Sequence, residues 1–270
     1  MNVITLASRK GGVGKSTLTA HLAGYAHLLG YRSMVVDADP QGSLTLWHSM
    51  RAHGMRGTDG LGLQNAAQGI NRILGSAQLN GYSWVFIDTA PTTWLVVQEA
   101  IRAATLLLIP VRAGFFDLAA VRETVATARE LGKPYAVVIN AAPVKREDKE
   151  APAVAHSRAQ FDELAIPVWS GQISQRTGFV GSLAAGASAG EIDGDSACKP
   201  RSRGCGRPSN APSRRSTSPM RAPADTGPRS LPSGAGIKVL NPRNVLAMWW
   251  SVEPLPGSRF HDCRRSRSRR

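Results

Sequence analysis

Apolar and polar positions fall into two regimes along the chain. Up to about residue 196, short unbroken apolar runs alternate with longer stretches in which apolar residues recur every three or four positions. Val3–Ala7, Ser33–Asp37, Trp84–Asp88, Leu106–Ile109 and Tyr135–Asn140 are runs of the first kind. Each reads as a strand buried on both faces. A further short strand is expected near Ile166–Trp169. Leu18, Leu22, Ala26 and Leu29 share one helical face, and Gly30 is placed to stop that helix. Helical patterns are also expected at roughly 64–78, 93–103 and 117–131, and from about Arg176 to Leu183. Repeated strand–helix alternation predicts an α/β fold, a mostly parallel sheet with helices on both faces and right-handed crossovers.

Beyond about residue 197 the periodicity fades. This stretch holds 10 of the 17 prolines and all three cysteines, Cys198, Cys205 and Cys263. Short apolar scraps remain near Ile237–Leu240 and Val245–Trp250. Such a composition buries too little surface to offset chain entropy, so a disordered basic tail over 197–270 is expected. Charge divides at the same place. The net charge of +14 suggests a nucleic-acid binder, but residues 1–196 carry 17 Lys and Arg against 16 Asp and Glu, while residues 197–270 carry 16 against 3. The body is nearly neutral. The abrupt change after Glu191-Ile-Asp-Gly-Asp-Ser196 fits an out-of-frame translation better than a genuine basic arm that holds DNA or RNA. Reading the other nucleotide frames near codon 197 decides between them.

A cysteine-free body offers no disulfide framework or cysteine-held metal cluster, and it fits a cytoplasmic protein. The first apolar run is too short for a signal peptide. No stretch approaches the ~18 apolar residues that span a bilayer, so no membrane association is expected.

Lys10-Gly-Gly-Val-Gly-Lys-Ser-Thr17 follows a predicted strand and opens a predicted helix. That context marks a phosphate loop, and the fold as a P-loop NTPase. Glycines let backbone N–H groups converge on phosphate oxygens, and the helix N-terminus adds partial positive charge. Gly11, Gly12, Val13 and Gly14 would cradle the nucleotide. Lys15 would reach the β- and γ-phosphates, Ser16 would offer its hydroxyl to Mg²⁺, and Thr17 would touch the α-phosphate. A Gly-rich turn that binds nothing explains two lysines and a hydroxyl poorly. The loop departs from the common pattern, because Arg9 stands at the position of the first glycine and Lys10 follows it.

Asp37 and Asp39 end the second strand, at the sheet edge where open α/β folds bind ligands. Two apart in extended chain, they would leave on one side, one orienting Mg²⁺-bound water and the other positioning the attacking water. Pro40 then breaks the strand, and a polar strand-end turn is the plain alternative. Asp88 ends another apolar strand and is a candidate contact to Mg²⁺ through water. Asn140 ends a third. Its amide can accept from and donate to an adenine edge, though its spacing equally suits an asparagine that starts a turn.

Together these segments resemble the ParA/MinD family of deviant Walker ATPases, over roughly residues 1–196. The motifs that carry the resemblance are Lys10–Thr17, Val36-Asp-Ala-Asp-Pro-Gln-Gly-Ser43 and Ile87-Asp-Thr-Ala-Pro91. Ile173–Ser182 and Gly190-Glu191 look like the short ParA proteins of plasmid partition, as does a start at the first strand with no helix-turn-helix domain before it. The resemblance implies weak, partner-stimulated ATP hydrolysis and an ATP-bound homodimer in which Lys10 reaches the partner's phosphates. It also implies non-specific DNA binding at the nucleoid and a ParB-type, centromere-binding partner. Catalysis would rest on Lys10, Lys15 and Asp39. Arg176 sits where such proteins often carry a DNA-contacting arginine; a surface arginine capping a helix fits the position equally.

Other readings lack their residues. A MinD-like positioning ATPase needs a terminal amphipathic helix, and residues 250–270 are broken by Pro and Arg. An iron-protein-like reductase needs cysteines in the body. A tyrosine kinase on this fold needs a tyrosine-rich tail, yet the tyrosines are 25, 31, 82 and 135. A nucleic-acid binder dominated by the tail would bind DNA in a salt-sensitive way, regardless of ATP.

Overall fold

The computed structural model describes residues 1–54, 61–92, 94–114, 117–147 and 149–192. The expected tail and the 196/197 boundary lie outside these residues. The elements run β1 (Asn2–Leu6), α1 (Lys15–Leu28), β2 (Ser33–Ala38), α2 (Ser43–Gly54), β3 (Leu61–Asn65), a 3₁₀ turn (Ala66–Gln68) and α3 (Ile70–Leu79). They continue with β4 (Trp84–Thr89), α4 (Trp94–Ala103), β5 (Leu106–Arg112), α5 (Asp117–Glu130), β6 (Tyr135–Asn140), α6 (Pro152–Glu163), α7 (Thr177–Ala184) and α8 (Ala189–Ile192). Among the described residues the strands form one parallel sheet in the order β3-β2-β4-β1-β5-β6. The fold is therefore the α/β architecture expected from the alternation.

Alternation along each strand divides the core. Ile4, Leu6, Val35, Phe86, Leu108 and Val138 meet Leu18, Leu22 and Ala26 of α1 and Leu44 and Trp47 of α2. Val36, Val85 and Ile87 meet α3 and α4 on the opposite face. Leu107, Ile109, Val137 and Ile139 meet α4, α5 and α6 there. α1 stops as expected: Gly30 takes φ 83° and donates to the His27 carbonyl at 2.9 Å, while Tyr31 donates to Ala26 at 3.0 Å. Leu29 differs from expectation. It is the capping residue and is 52% exposed.

Three expectations change. The stretch 64–78 is not one helix, because β3 and the 3₁₀ turn precede α3. β3 is an edge strand whose outer end is polar, so no continuous apolar run announces it. No strand forms at Ile166–Trp169. A single parallel bridge joins Val168 to Val137, with Val137 N–H on Pro167 O and Trp169 N–H on Val137 O. Three helices, α2, α6 and the short α8, have no counterpart in the sequence pattern.

The last described segment packs back over α1 and α2. A Cβ on Gly24 would lie 2.7 Å from Ser188 Cβ, and one on Gly186 would lie 2.4 Å from the Arg51 backbone nitrogen. His21 of α1 is buried against the Phe179 ring, 4.6 Å between centroids, and its Nδ1 accepts from Ala189 N–H. Burial pushes its pKa down to about 4, against the opposing pull of Glu191, so it serves as a neutral packing residue.

Candidate nucleotide site

The loop from Ser8 to Gly14 joins β1 to α1 at the carboxyl edge of the sheet. Gly14 caps the helix in the left-handed conformation, φ 93° and ψ 29°. Lys15 is the first helical residue, yet its side chain folds back under the loop. Its Nζ donates to Lys10 O at 3.1 Å and to Ser8 O at 3.4 Å. Burial lowers its pKa, and the negative charges of Asp88 and Asp39 oppose that fall. An ammonium held only by carbonyls in a buried site retains an attraction for anions. Lys10 is half-buried and donates its backbone N–H to Ser8 Oγ at 3.2 Å. Arg9, at the unusual first position, lies 3.9 Å over the Trp94 ring and pairs with Glu123 at 3.0 Å.

Parallel pairing sets Asp37 beside Asp88 on adjacent strands. Their surroundings differ. Asp37 is buried, and its Oδ2 accepts from Thr45 N–H at 2.9 Å and from Thr45 Oγ1 at 2.8 Å. Its Oδ1 accepts from Asp39 N–H at 3.3 Å. Oδ2 thus anchors the first turn of α2, and Oδ1 holds the Asp39 turn that leads into it. Asp39 lies beyond the strand, half-buried, and accepts from Gln41 N–H at 3.0 Å. Asp88 is fully buried, and among the described residues neither of its oxygens has a hydrogen-bond partner.

That orphaned carboxylate is the site's electrostatic singularity. Burial pushes its pKa up to about 7; the Ser16 hydroxyl opposes the rise, Asp37 adds to it, Lys15 opposes it and Asp39 adds again. A fully buried carboxylate with only the Ser16 hydroxyl and the Lys15 charge to offset its burial suits a hydrated cation nearby, so the residues present fit Mg²⁺ held by Ser16. The sign of its effect on stability follows. A carboxyl whose folded pKa exceeds its unfolded value of about 4 weakens the fold as pH rises from about 4 to about 7, and the penalty is complete above that. Asp88→Asn is expected to stabilise the nucleotide-free, Mg²⁺-free chain by on the order of 2 kcal/mol at pH 8 and to change it little at pH 4. Urea unfolding at both pH values checks this, and equal stability of the two proteins at pH 8 refutes the unpaired anion.

A cavity of about 890 Å³ opens beside the loop. Gly11, Gly12, Gly14, Lys15, Ser16, Thr17 and Asp39 line it, with Val180 and Leu183 of α7 on its far wall. A smaller cavity of about 140 Å³ adjoins it, sharing Gly14 and Thr17 and bounded by Asn140, Arg112 and Arg176. The larger volume is in the range of small-molecule sites. Val13 is buried and lines neither cavity; its carbonyl accepts from Asn140 Nδ2 at 2.7 Å. Arg176 is exposed at the N-cap of α7, and its side chain makes no capping hydrogen bond. Sequence reasoning missed Thr45 and Arg112. Arg112 pairs in register with Asn140 and touches both cavities. A charged residue ending an otherwise apolar strand was the available signal.

Among the described residues no helix is long and apolar enough to cross a membrane. Similar proteins point the same way as the geometry. Maintenance of carboxysome distribution protein A of Gloeobacter kilaueensis is 33% identical over 197 residues, 63% of this chain and 86% of that protein. The chromosome-partitioning ATPase Soj of Thermus thermophilus is 31% identical over 153 residues, 47% of this chain and 61% of Soj. The solved apo McdA of Cyanthece shares the fold with a TM-score of 0.57 at 19% identity, over 71% of this chain and 93% of McdA. Residues 4–187 match the model of the CobQ/CobB/MinD/ParA nucleotide binding domain. This chain belongs to that ParA/MinD family of nucleotide-binding proteins.

Proposed function

We propose that the chain is an ATP-hydrolysing switch that dimerises on binding Mg²⁺-ATP and then positions or segregates DNA. One observation carries the reading: the buried Lys15 ammonium interacts electrostatically with the buried Asp88 carboxylate and lines a nucleotide-sized cavity beside the glycine-rich loop. Backbone N–H groups of residues 11–14 would bind phosphate oxygens, Lys15 would exchange the Ser8 and Lys10 carbonyls for the β- and γ-phosphates, and Thr17 would meet the α-phosphate. Ser16 would hold Mg²⁺, with Asp88 behind it through water; the ion would supply neutralisation of phosphate charge. Asp39, beside the cavity, would position the attacking water. Asp37 would act through Thr45, keeping α2 and the Asp39 turn in place. The smaller cavity, bounded by Asn140, suits the adenine.

Lys10 would act in trans, on the partner protomer's phosphates. Arg176, exposed beside the site, is offered for DNA, and a ParB-type protein is the proposed stimulator in a cytoplasmic, nucleoid-associated cycle. The relative named for maintenance of carboxysome distribution supports a second reading of the same switch, as one that distributes a cellular body. Sedimentation in Mg²⁺-ATP and in Mg²⁺-ADP, with and without duplex DNA, tests the proposal. Co-sedimentation with DNA is expected in ATP alone; equal DNA binding in both nucleotides contradicts the switch.

A further inference from the structure

We infer that Asn140 is a positioning residue for the phosphate loop, gripping it from the end of β6 whether or not nucleotide is present. The inference rests on the reading of the loop as a phosphate site and goes beyond a role in base recognition.

Two side chains, Lys15 and Asn140, donate to backbone carbonyls of the loop. Lys15 holds its first half, through the carbonyls of Ser8 and Lys10. Asn140 holds its second half, through the Val13 carbonyl at 2.7 Å, across 127 residues of sequence. The two anchors differ in what a nucleotide does to them. Lys15 carries charge and would leave its carbonyls for phosphate. Asn140 is neutral and has no such competing attraction, so it is the anchor that stays.

Geometry makes this hold useful. A trans peptide points its C=O and N–H in opposite directions. Fixing the Val13 carbonyl on Asn140 therefore turns the Gly14 N–H away from β6, and Gly14 borders both cavities. The approach is close enough to dictate residue choice. A Cβ on Gly14 would fall 2.3 Å from Asn140 Nδ2, and the positive φ of Gly14 independently favours glycine. Asn140 is itself held firmly. It is 7% exposed, and the next residue, Ala141, takes φ 51°, a conformation that non-glycine residues keep only where their surroundings impose it. Ala142 imposes it: its N–H donates to Ile173 O at 2.9 Å, and its carbonyl accepts from Gln175 N–H at 2.8 Å. Residues 173–176, β6 and the phosphate loop thus form one mechanically continuous wall around the smaller cavity.

The test uses the full chain carrying Asn140→Asp, which keeps the shape and loses the donor, or Asn140→Ala. Amide hydrogen exchange is followed without nucleotide and with Mg²⁺-ADP, and ADP and GDP affinities are measured alongside. Exchange at residues 11–17 is expected to accelerate about tenfold in both states, the yield of a lost buried hydrogen bond. Exchange in α3, which does not touch the loop, should stay unchanged. ADP and GDP should weaken by one common factor, about threefold to tenfold. Unchanged loop exchange overturns the inference; if ADP alone then weakens, Asn140 reads the base and nothing more. A wild-type chain that binds neither nucleotide refutes the phosphate site, and the exchange comparison still decides whether Asn140 holds the loop.

Discussion

Lys15→Ala is expected to lower ATP turnover by about 10²–10³-fold. The ammonium is buried beneath the loop, 6% exposed, with the charges of Asp88 and Asp39 lowering the penalty of keeping it there. In such surroundings a charge aimed at developing negative charge acts through a low effective dielectric and needs no reorganisation during reaction. The loss should appear in kcat as well as in kcat/KM, because negative charge develops on the β-phosphate leaving group and its bridging oxygen toward a loose transition state. Stability should fall only modestly, because the Ser8 and Lys10 carbonyls lose their donor while the cost of burying the ammonium disappears. Phosphate release at saturating ATP, beside a melting curve, separates the two effects. Undiminished turnover refutes the assigned site.

Arg51→Ala is expected to destabilise the fold by about 3–5 kcal/mol. Arg51 and Glu191 are 1% and 4% exposed and pair through both guanidinium nitrogens, NH1 reaching Oε2 at 2.8 Å and NH2 reaching Oε1 at 2.5 Å. Ser188 adds its N–H and hydroxyl to the same carboxylate, at 2.7 and 2.8 Å. Removing the arginine leaves a buried carboxylate whose main partner is gone. Replacing both partners, as in Arg51→Met with Glu191→Leu, should recover most of the loss, because no stranded charge remains. Burial pushes the Glu191 pKa up, but the hydrogen bonds from Arg51 and Ser188 outweigh it and the net direction is down. A lowered carboxyl contributes stability above its unfolded pKa and loses it as pH falls, so the difference between wild type and Arg51→Ala should shrink in acid. Urea unfolding at neutral and acid pH measures both, and a neutral-pH loss under about 1 kcal/mol contradicts a buried, interdependent pair. The pair also reaches toward the site, since Arg51 lies on the helix whose first turn grips Asp37 through Thr45.

The same pair explains why α2 was illegible in the sequence. Its inward face carries Leu44, Trp47 and Arg51, and a buried arginine erases the apolar periodicity. Its bidentate partner Glu191, 140 residues away, makes that arginine admissible. α6 was hidden similarly, because Ser157 stands between Val154 and Phe161 on its buried face. The five strands that were legible, β1, β2, β4, β5 and β6, are buried on both faces, which forces uninterrupted apolar runs. β3, at the edge, is under no such constraint.

At the candidate site, contiguous features could be read and through-space ones could not. The phosphate loop is local chemistry, written in consecutive residues. Which aspartate lacks donors is not local. Asp37 and Asp88 both end apolar strands, and what separates them is Thr45, delivered by a helix that the pattern did not show. Asn140 was legible as a polar strand end, but its contact with Val13 depends on β5 and β1 placing β6 beside the loop.

The most direct measurement of the central claim is the mass of the full chain by sedimentation in Mg²⁺-ATP against Mg²⁺-ADP, at equal protein concentration. A dimer in ATP that reverts to monomer in ADP, and that Lys15→Ala fails to form, is the expected result. An identical mass in both nucleotides contradicts an ATP-dependent switch.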